Sequence, residues 1–345
     1  MITLDGSIGE GGGQVLRSSL TLAILTSQPF KIENIRAKRP NPGLRPAHVL
    51  AVKAAAQISA ARYKGASVGS MTLYFEPGQV RSGQYHLDIG TAGATSLVLQ
   101  TIVLPLALRG SGPSEVTITG GTHVANSPCY HYLEVTWAGF LHRLGLPLTV
   151  EMIRPGFYPR GNGQIRAKIP PCAFLEPLID RDCPVITTAG GFSAVAGLPR
   201  SIAERQAVRV KQRLKAAGID CHIPIEEWAG GPGTVVAVIF RQLEVPALFF
   251  SIGERGKPAE LVADEAADAA LAFRDRGAPV DPHGADQILL PLLFCRGPSV
   301  FRLSEVSEHL LTNIEVIRAF LGDRIQLEGQ LGKVGTITVV PRLEL

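Results

Sequence analysis

The chain has 345 residues, enough for two or three compact units at about 150 residues each. Apolar residues make up 46% and charged ones 19%, which excludes a disordered chain, and a formal net charge of +4 is too small to name a partner. The longest apolar run, Leu97 to Leu108, falls short of the roughly 20 residues of a membrane span and predicts a buried helix.

In chain order, the pattern predicts a strand at Ile2–Asp5, a helix at Gly13–Thr26, a strand at Phe30–Ile35 and an alanine-rich helix at Ala47–Ala61. Met71–Phe75 and Tyr85–Ile89 alternate as strands joined by glycine turns. The order then restarts, with helix Ser96–Leu108, strand Glu115–Thr119, helix Tyr130–Leu144, and strands Leu148–Ile153 and Gln164–Ile169. Laying Val15–Ser18 over Val98–Thr101 also brings His48 onto His131, so each second helix begins near a histidine. A third copy follows at helix Asp286–Phe294, strand Val300–Leu303, helix His309–Leu321, and strands Ile325–Leu327 and Gly335–Val340. Three such units predict a pseudo-threefold α/β domain. Between copies two and three, Cys183–Arg276 has strands (Val185–Thr188, Thr234–Phe240, Ala247–Ile252) and helices (Ile202–Ala217, Ala259–Arg274) of its own. The expected division is therefore a large domain of residues 1–182 and 277–345 with an inserted α/β domain at 183–276.

Five cysteines without a CxxC pair suggest reduced thiols in a cytoplasmic protein, and neither a zinc site nor a disulfide framework follows from them. The first five residues show no basic or apolar leader, so no signal peptide is expected. Residues 1–66 hold nine Lys/Arg against three acids, a local basic excess. The loop Gly9-Glu10-Gly11-Gly12-Gly13-Gln14 separates a strand from a helix, where backbone amides can cradle phosphate. It is neither a Walker A loop nor GxGxxG, and Glu10 suits anion binding only if a divalent metal offsets its charge. Arg36, Lys38 and Arg39 at a strand end can clamp a polyphosphate or a nucleic-acid end. His48, His131 and His309 each open a helix, where the dipole favours the neutral, nucleophilic imidazole. Asp286 reads as a helix cap.

Taken in order, Gly-Glu-Gly-Gly-Gly-Gln, Ile-Arg-Ala-Lys-Arg, Pro-Gly-Leu-Arg-Pro, Thr-Ala-Gly-Ala-Thr-Ser, Gly-Gly-Thr, Gly-Phe-Tyr-Pro-Arg-Gly-Asn-Gly and His-Leu-Leu-Thr-Asn resemble the RNA 3'-terminal phosphate cyclase family, from residue 9 to residue 313. The resemblance implies three units, each a four-stranded sheet with two helices, like the fold of enolpyruvyl transferases, plus a smaller inserted domain. It implies an ATP-dependent reaction using Mg2+ or Mn2+, in which a histidine takes AMP, passes it to an RNA 3'-terminal phosphate, and leaves a 2',3'-cyclic phosphate. By position, His309 matches the nucleophile and Glu10 a carboxylate near the metal. Arg17, Arg36 and Arg39 match phosphate-binding arginines, while Gln100, Pro128, His283, Gly284, Ala285, Asp286 and Gln287 match the nucleotide pocket. Ala47, His131 and His283 depart from residues common in the family. Two other readings are a non-catalytic cyclase-like RNA-binding protein of ribosome assembly, whose kind lacks the nucleophilic histidine, and an enolpyruvyl-transferase-like enzyme.

Overall fold

Residues 1–342 are described by a computed structural model, in which three four-stranded sheets share one strand order. The first contains Ile2–Asp5, Phe30–Glu33, Leu73–Glu76 and Arg62–Lys64, in that lateral order. The second runs Gln84–Asp88, Ser114–Gly120, Gly163–Ile169 and Thr149–Arg154, and the third Ile179–Asp180, Ser299–Leu303, Gly335–Val339 and Ile325–Glu328. In each, the first two strands are parallel and the other pairings antiparallel. A parallel pair requires a crossover, and a helical connection supplies it in each sheet. Alternation buries one face of every sheet: Phe30 and Ile32 lie opposite Phe75 and Leu73 in the first.

Several elements differ from the sequence expectation. The strand expected at Tyr85–Ile89, ahead of the restart at Ser96, belongs to the second unit: Gln84–Asp88 opens the second sheet, parallel to Ser114–Gly120. The first sheet is completed by Arg62–Lys64, an exposed edge strand with no apolar alternation to reveal it. Asp286 is not a helix cap. The helix there, Pro282–Gln287, is capped by Asp281, which accepts from the amides of His283 and Gly284 at 3.0 Å. Asp before Pro is the N-cap and first-turn pair that favours an earlier start. Tyr130–Leu144 is not one regular helix either: a π turn at Leu133–Trp137 separates two α segments.

The strand of the intervening segment is Thr188–Ala196, not Val185–Thr188, because Gly190 and Gly191 break its apolar pattern. It joins Gly233–Phe240, Ala247–Ile252, Ile225–Trp228 and Asp220–Cys221 in a five-stranded sheet. Alternate residues of the central strand serve two cores. Val236, Val238 and Phe240 pack under helices Arg200–Ala216 and Ala259–Arg276, and Val235, Ala237 and Ile239 join the core of the main body. Among the described residues, no helix is long and apolar enough to cross a membrane.

Three helices meet at the centre. Pro105 within helix Thr95–Arg109 has no N–H, so the carbonyl of Thr101 loses its helical donor. The Thr21 hydroxyl of helix Gln14–Thr26 donates to that carbonyl at 2.9 Å. On another side, Ser18 donates to the Asn313 Oδ1 of helix Glu308–Leu321 at 2.6 Å, and Asn313 Nδ2 donates to the Asp286 carbonyl at 2.8 Å. All of these groups are buried. Asn313→Leu keeps the branched outline, though with more bulk, and strands two polar groups, at about 1–3 kcal/mol each. Urea unfolding of this variant should show a loss on the order of 3 kcal/mol; an unchanged midpoint would show that the amide contributes no net stability.

Candidate active site

The glycine loop is shaped by what approaches it. Gly9 has φ +55, and a Cβ there would lie 1.9 Å from Thr312 Oγ1, so only glycine lets the loop cross helix Glu308–Leu321. Thr312 Oγ1 also accepts from the Glu10 amide at 3.4 Å. A Cβ on Gly13 would come within 2.4 Å of His48 Nε2 and 2.5 Å of Arg17 Nη1, so its bareness admits both side chains.

Thus held, Glu10 places Oε1 3.2 Å from His309 Nδ1 and Oε2 3.0 Å from Arg39 Nη2. The imidazole N–H is not aligned on Oε1, so the contact is an ion pair more than a directed hydrogen bond. His309 is the second residue of its helix, whose cap is Ser307 accepting from the Leu310 amide at 3.1 Å. The expectation of a neutral imidazole at a helix start is corrected here. The Glu10 contact lifts His309 above its ordinary pKa, against the opposing effect of burial. A full carboxylate charge at 3.2 Å outweighs the partial charge of a helix end that Ser307 already caps. Burial raises Glu10, but the contacts with His309, Arg39 and Arg17 hold it below its ordinary value.

Arg17 is half-buried beside this pair, donates to Gln14 Oε1 at 3.2 Å, and is lowered by desolvation to about 10, so it stays cationic at neutral pH. Burial, then Arg17, Arg36 and Arg45, push His48 down to about 3. Its Nδ1 accepts from the Arg45 amide at 3.1 Å, which leaves an Nε2–H donor beside Gly13 and Arg17. Arg36 behaves differently. Its Nη1 donates to the carbonyls of Asn41 and Gly43 at 2.7 and 2.9 Å, bracing its own loop.

Next to Arg17 opens a cleft lined by Gln100, Asp286, Gln287, Trp137, Leu290 and Asn313, among others. Gln100 donates to Gln287 Oε1 at 2.5 Å. Asp286 is buried with Oδ1 unpartnered, and burial raises its carboxyl to about 6. Arg17, Gln100, Asp286 and Gln287 are thus brought together, whereas Pro128 and His283 stand outside the lining. Gly284 and Ala285 are buried in the short helix, Gly284 against Asp281 and Phe140. Sequence reasoning missed Thr312, Gln14 and Trp137. Thr312 and Gln14 belong to the His-Leu-Leu-Thr-Asn and Gly-Glu-Gly-Gly-Gly-Gln strings but carried no role there; Trp137 gave no signal beyond helical placement.

The other first-turn histidine, His131, is enclosed by rings. Its ring stacks on Trp228 at 5.3 Å and lies 4.4 Å from Phe192, with His123 Nε2 3.1 Å from its Nδ1. Ala47, at the second position of its helix, sets its methyl near Gly93 in the Thr-Ala-Gly-Ala-Thr turn.

Comparison with known proteins agrees with these motifs. A family model described as RNA 3'-terminal phosphate cyclase matches residues 8–327. A protein of that name from Ectopseudomonas mendocina is 45% identical over 94% of each chain. Another from Caldivirga maquilingensis is 40% identical over 99% of this chain and 98% of its own, and one from Thermococcus onnurineus is 40% identical over 99% of each. The chain belongs to the RNA 3'-terminal phosphate cyclase family.

Proposed function

We propose that this enzyme converts an RNA 3'-terminal phosphate to a 2',3'-cyclic phosphate through a histidine-bound AMP, with the Glu10–His309 contact as the observation that carries the reading. With Nδ1 turned to Glu10, the imidazole offers Nε2 as nucleophile. Nε2 attacks the α-phosphorus of ATP, forming an N–P bond as the bond to the β-phosphate oxygen breaks and pyrophosphate leaves. An oxygen of the RNA 3'-phosphate then displaces the imidazole, taking AMP. Last, the adjacent 2'-oxygen attacks the 3'-phosphorus, loses its proton and expels AMP. Phosphate needs such a leaving group, and the 2'-OH is already in place.

Arg17 and the Nε2–H of His48 supply charge and a donor for phosphate oxygens, and Arg39 exchanges Glu10 for a phosphate. Asp286 Oδ1, Gln100 and Gln287 offer polar groups to the nucleoside. Glu10 suits a divalent ion as one of the one or two carboxylates that Mg2+ usually takes beside substrate phosphates. Bound there, the ion would neutralise charge on the triphosphate. The three sheets are read as copies of one unit, with 183–276 inserted into the third, and the unpaired cysteines fit a reducing, cytoplasmic setting.

Incubation with α-labelled ATP should label the wild type and leave His309→Ala unlabelled, with cyclisation down at least about a thousandfold. The same variant should still cyclise an RNA already carrying the 3'-adenylate. A normal adduct in His309→Ala, or one stable to acid, would sink the mechanism.

The pH dependence follows from the shift. Nε2 must lose its proton to attack, so single-turnover adduct formation should rise with pH through a midpoint above the ordinary 6.5 of histidine. Glu10→Gln removes the negative charge, and the midpoint should move to lower pH. Because the folded value is raised, the stability this pair confers on His309 is full below 6.5 and lost as pH rises through the folded value. A midpoint unmoved in Glu10→Gln would show that the carboxylate does not set the titration.

Arg39 tests recognition of the end. Arg39→Ala should weaken modification of a 3'-phosphate more than it weakens binding of a 3'-OH RNA, as read by filter binding and adenylate transfer. Equal losses would make Arg39 a general backbone contact.

A further inference from the structure

Away from the Glu10–His309 site, three potential metal ligands meet beneath the intervening segment. The His123 Nε2, Cys129 Sγ and His131 Nδ1 atoms all lie within 4.8 Å of one another. Cys129 and His131 are two residues apart at the start of a helix, Cys129 at its cap and His131 in its first turn. His123 comes from the preceding loop and is fully buried. Phe157 stacks on the His123 ring at 5.1 Å, and Trp228 and Phe192 cover His131. No carboxylate is in the cluster.

We propose that His123, Cys129 and His131 bind a zinc-class divalent ion through Nε2, Sγ and Nδ1. Imidazole and thiolate together suit a borderline-soft ion and not Mg2+ or Ca2+. Zinc bonds of 2.0–2.3 Å place tetrahedral ligand atoms about 3.3–3.7 Å apart. The two imidazole nitrogens are already 3.1 Å apart, and the sulfur, within 4.8 Å of both, has to close by at most about 1.5 Å to reach tetrahedral spacing. The surroundings also orient the first ligand. His123 Nδ1 lies 2.8 Å from Thr122 Oγ1, which accepts from the Gly156 amide at 2.9 Å and can donate to the Gly156 carbonyl. A proton on Nδ1 therefore has an acceptor, and Nε2 keeps its lone pair for the ion. Burial pushes the Cys129 thiol up to about 12, against the backbone amides of Tyr132 and His131 that face the sulfur, so the ion itself must displace the proton. As the S–metal bond forms, the thiol proton passes to solvent. Water takes the fourth position, since three protein ligands leave it open.

The full-length protein, stripped with a chelator, is titrated with Co2+. One equivalent should bind, with a near-ultraviolet charge-transfer band that only a thiolate ligand produces. Cys129→Ser keeps a helix-capping side chain and should lose the band, with affinity down at least about a hundredfold. His131→Asn should lose affinity similarly, while Cys172→Ser, changed at a half-exposed thiol elsewhere, should match the wild type. Zn2+ should raise the melting temperature of the wild type and leave that of His131→Asn unchanged. Absence of the band, its persistence in Cys129→Ser, or equal Zn2+ shifts in wild type and His131→Asn would each overturn the site and leave a packed aromatic cluster.

Discussion

The side-chain amide of Asn313 links three separated stretches of chain, since it accepts from Ser18 and donates to the carbonyl of Asp286 inside the core. Helix Glu308–Leu321 is thereby held in register against helix Gln14–Thr26, and the consequences reach the chemistry. Thr312, the neighbour of Asn313, supports the glycine loop; His309, one helical turn earlier, receives Glu10; Arg17, beside Ser18, faces the same space. A slip of one residue between these helices would separate all three groups. The amide bonds are worth little individually in net energy, but an unpaired polar group at this depth is costly, so the register is specified more than it is strengthened.

The electrostatic arrangement has a similar economy. Arg39 and His309 both contact the Glu10 carboxylate, and Arg17 lies between the fields of Glu10 and Asp286. His48 is kept neutral by burial among arginines, adding a donor without adding charge. The cationic side chains are thus held in place by carboxylates before any phosphate arrives, which is the preorganisation expected of a phosphate-transfer centre.

Much of this was legible because glycine, arginine and histidine occur where few alternatives exist. The loop at Gly9 must be glycine against Thr312, and His309 follows a Ser cap that marks its helix start. Strand order was less legible. Arg62–Lys64 is an exposed edge whose side chains carry no burial pattern, and Ile179–Asp180 is a two-residue strand whose partner Ser299–Leu303 lies beyond the intervening segment. The neutral imidazole expected at helix starts agrees with the lowered His48 and His131 but not with His309, because a helix end is visible in sequence, whereas a carboxylate delivered from 299 residues away is not. The cluster at His123, Cys129 and His131 escaped for a related reason, since its spacing matches no CxxC pattern and only folding brings the loop histidine to the helix.

Docking the first long helix against one of the last also sets a timetable for synthesis. Helix Gln14–Thr26 leaves the ribosome almost 300 residues before Glu308–Leu321, which at about 5–20 residues per second is a delay of roughly 15–60 s. For that interval its face toward the missing helix, including the Ser18 hydroxyl, has no native partner. The nascent chain must therefore remain soluble with this surface uncovered, and release of the C-terminal segment, not collapse of the N-terminal one, determines when the active centre first exists.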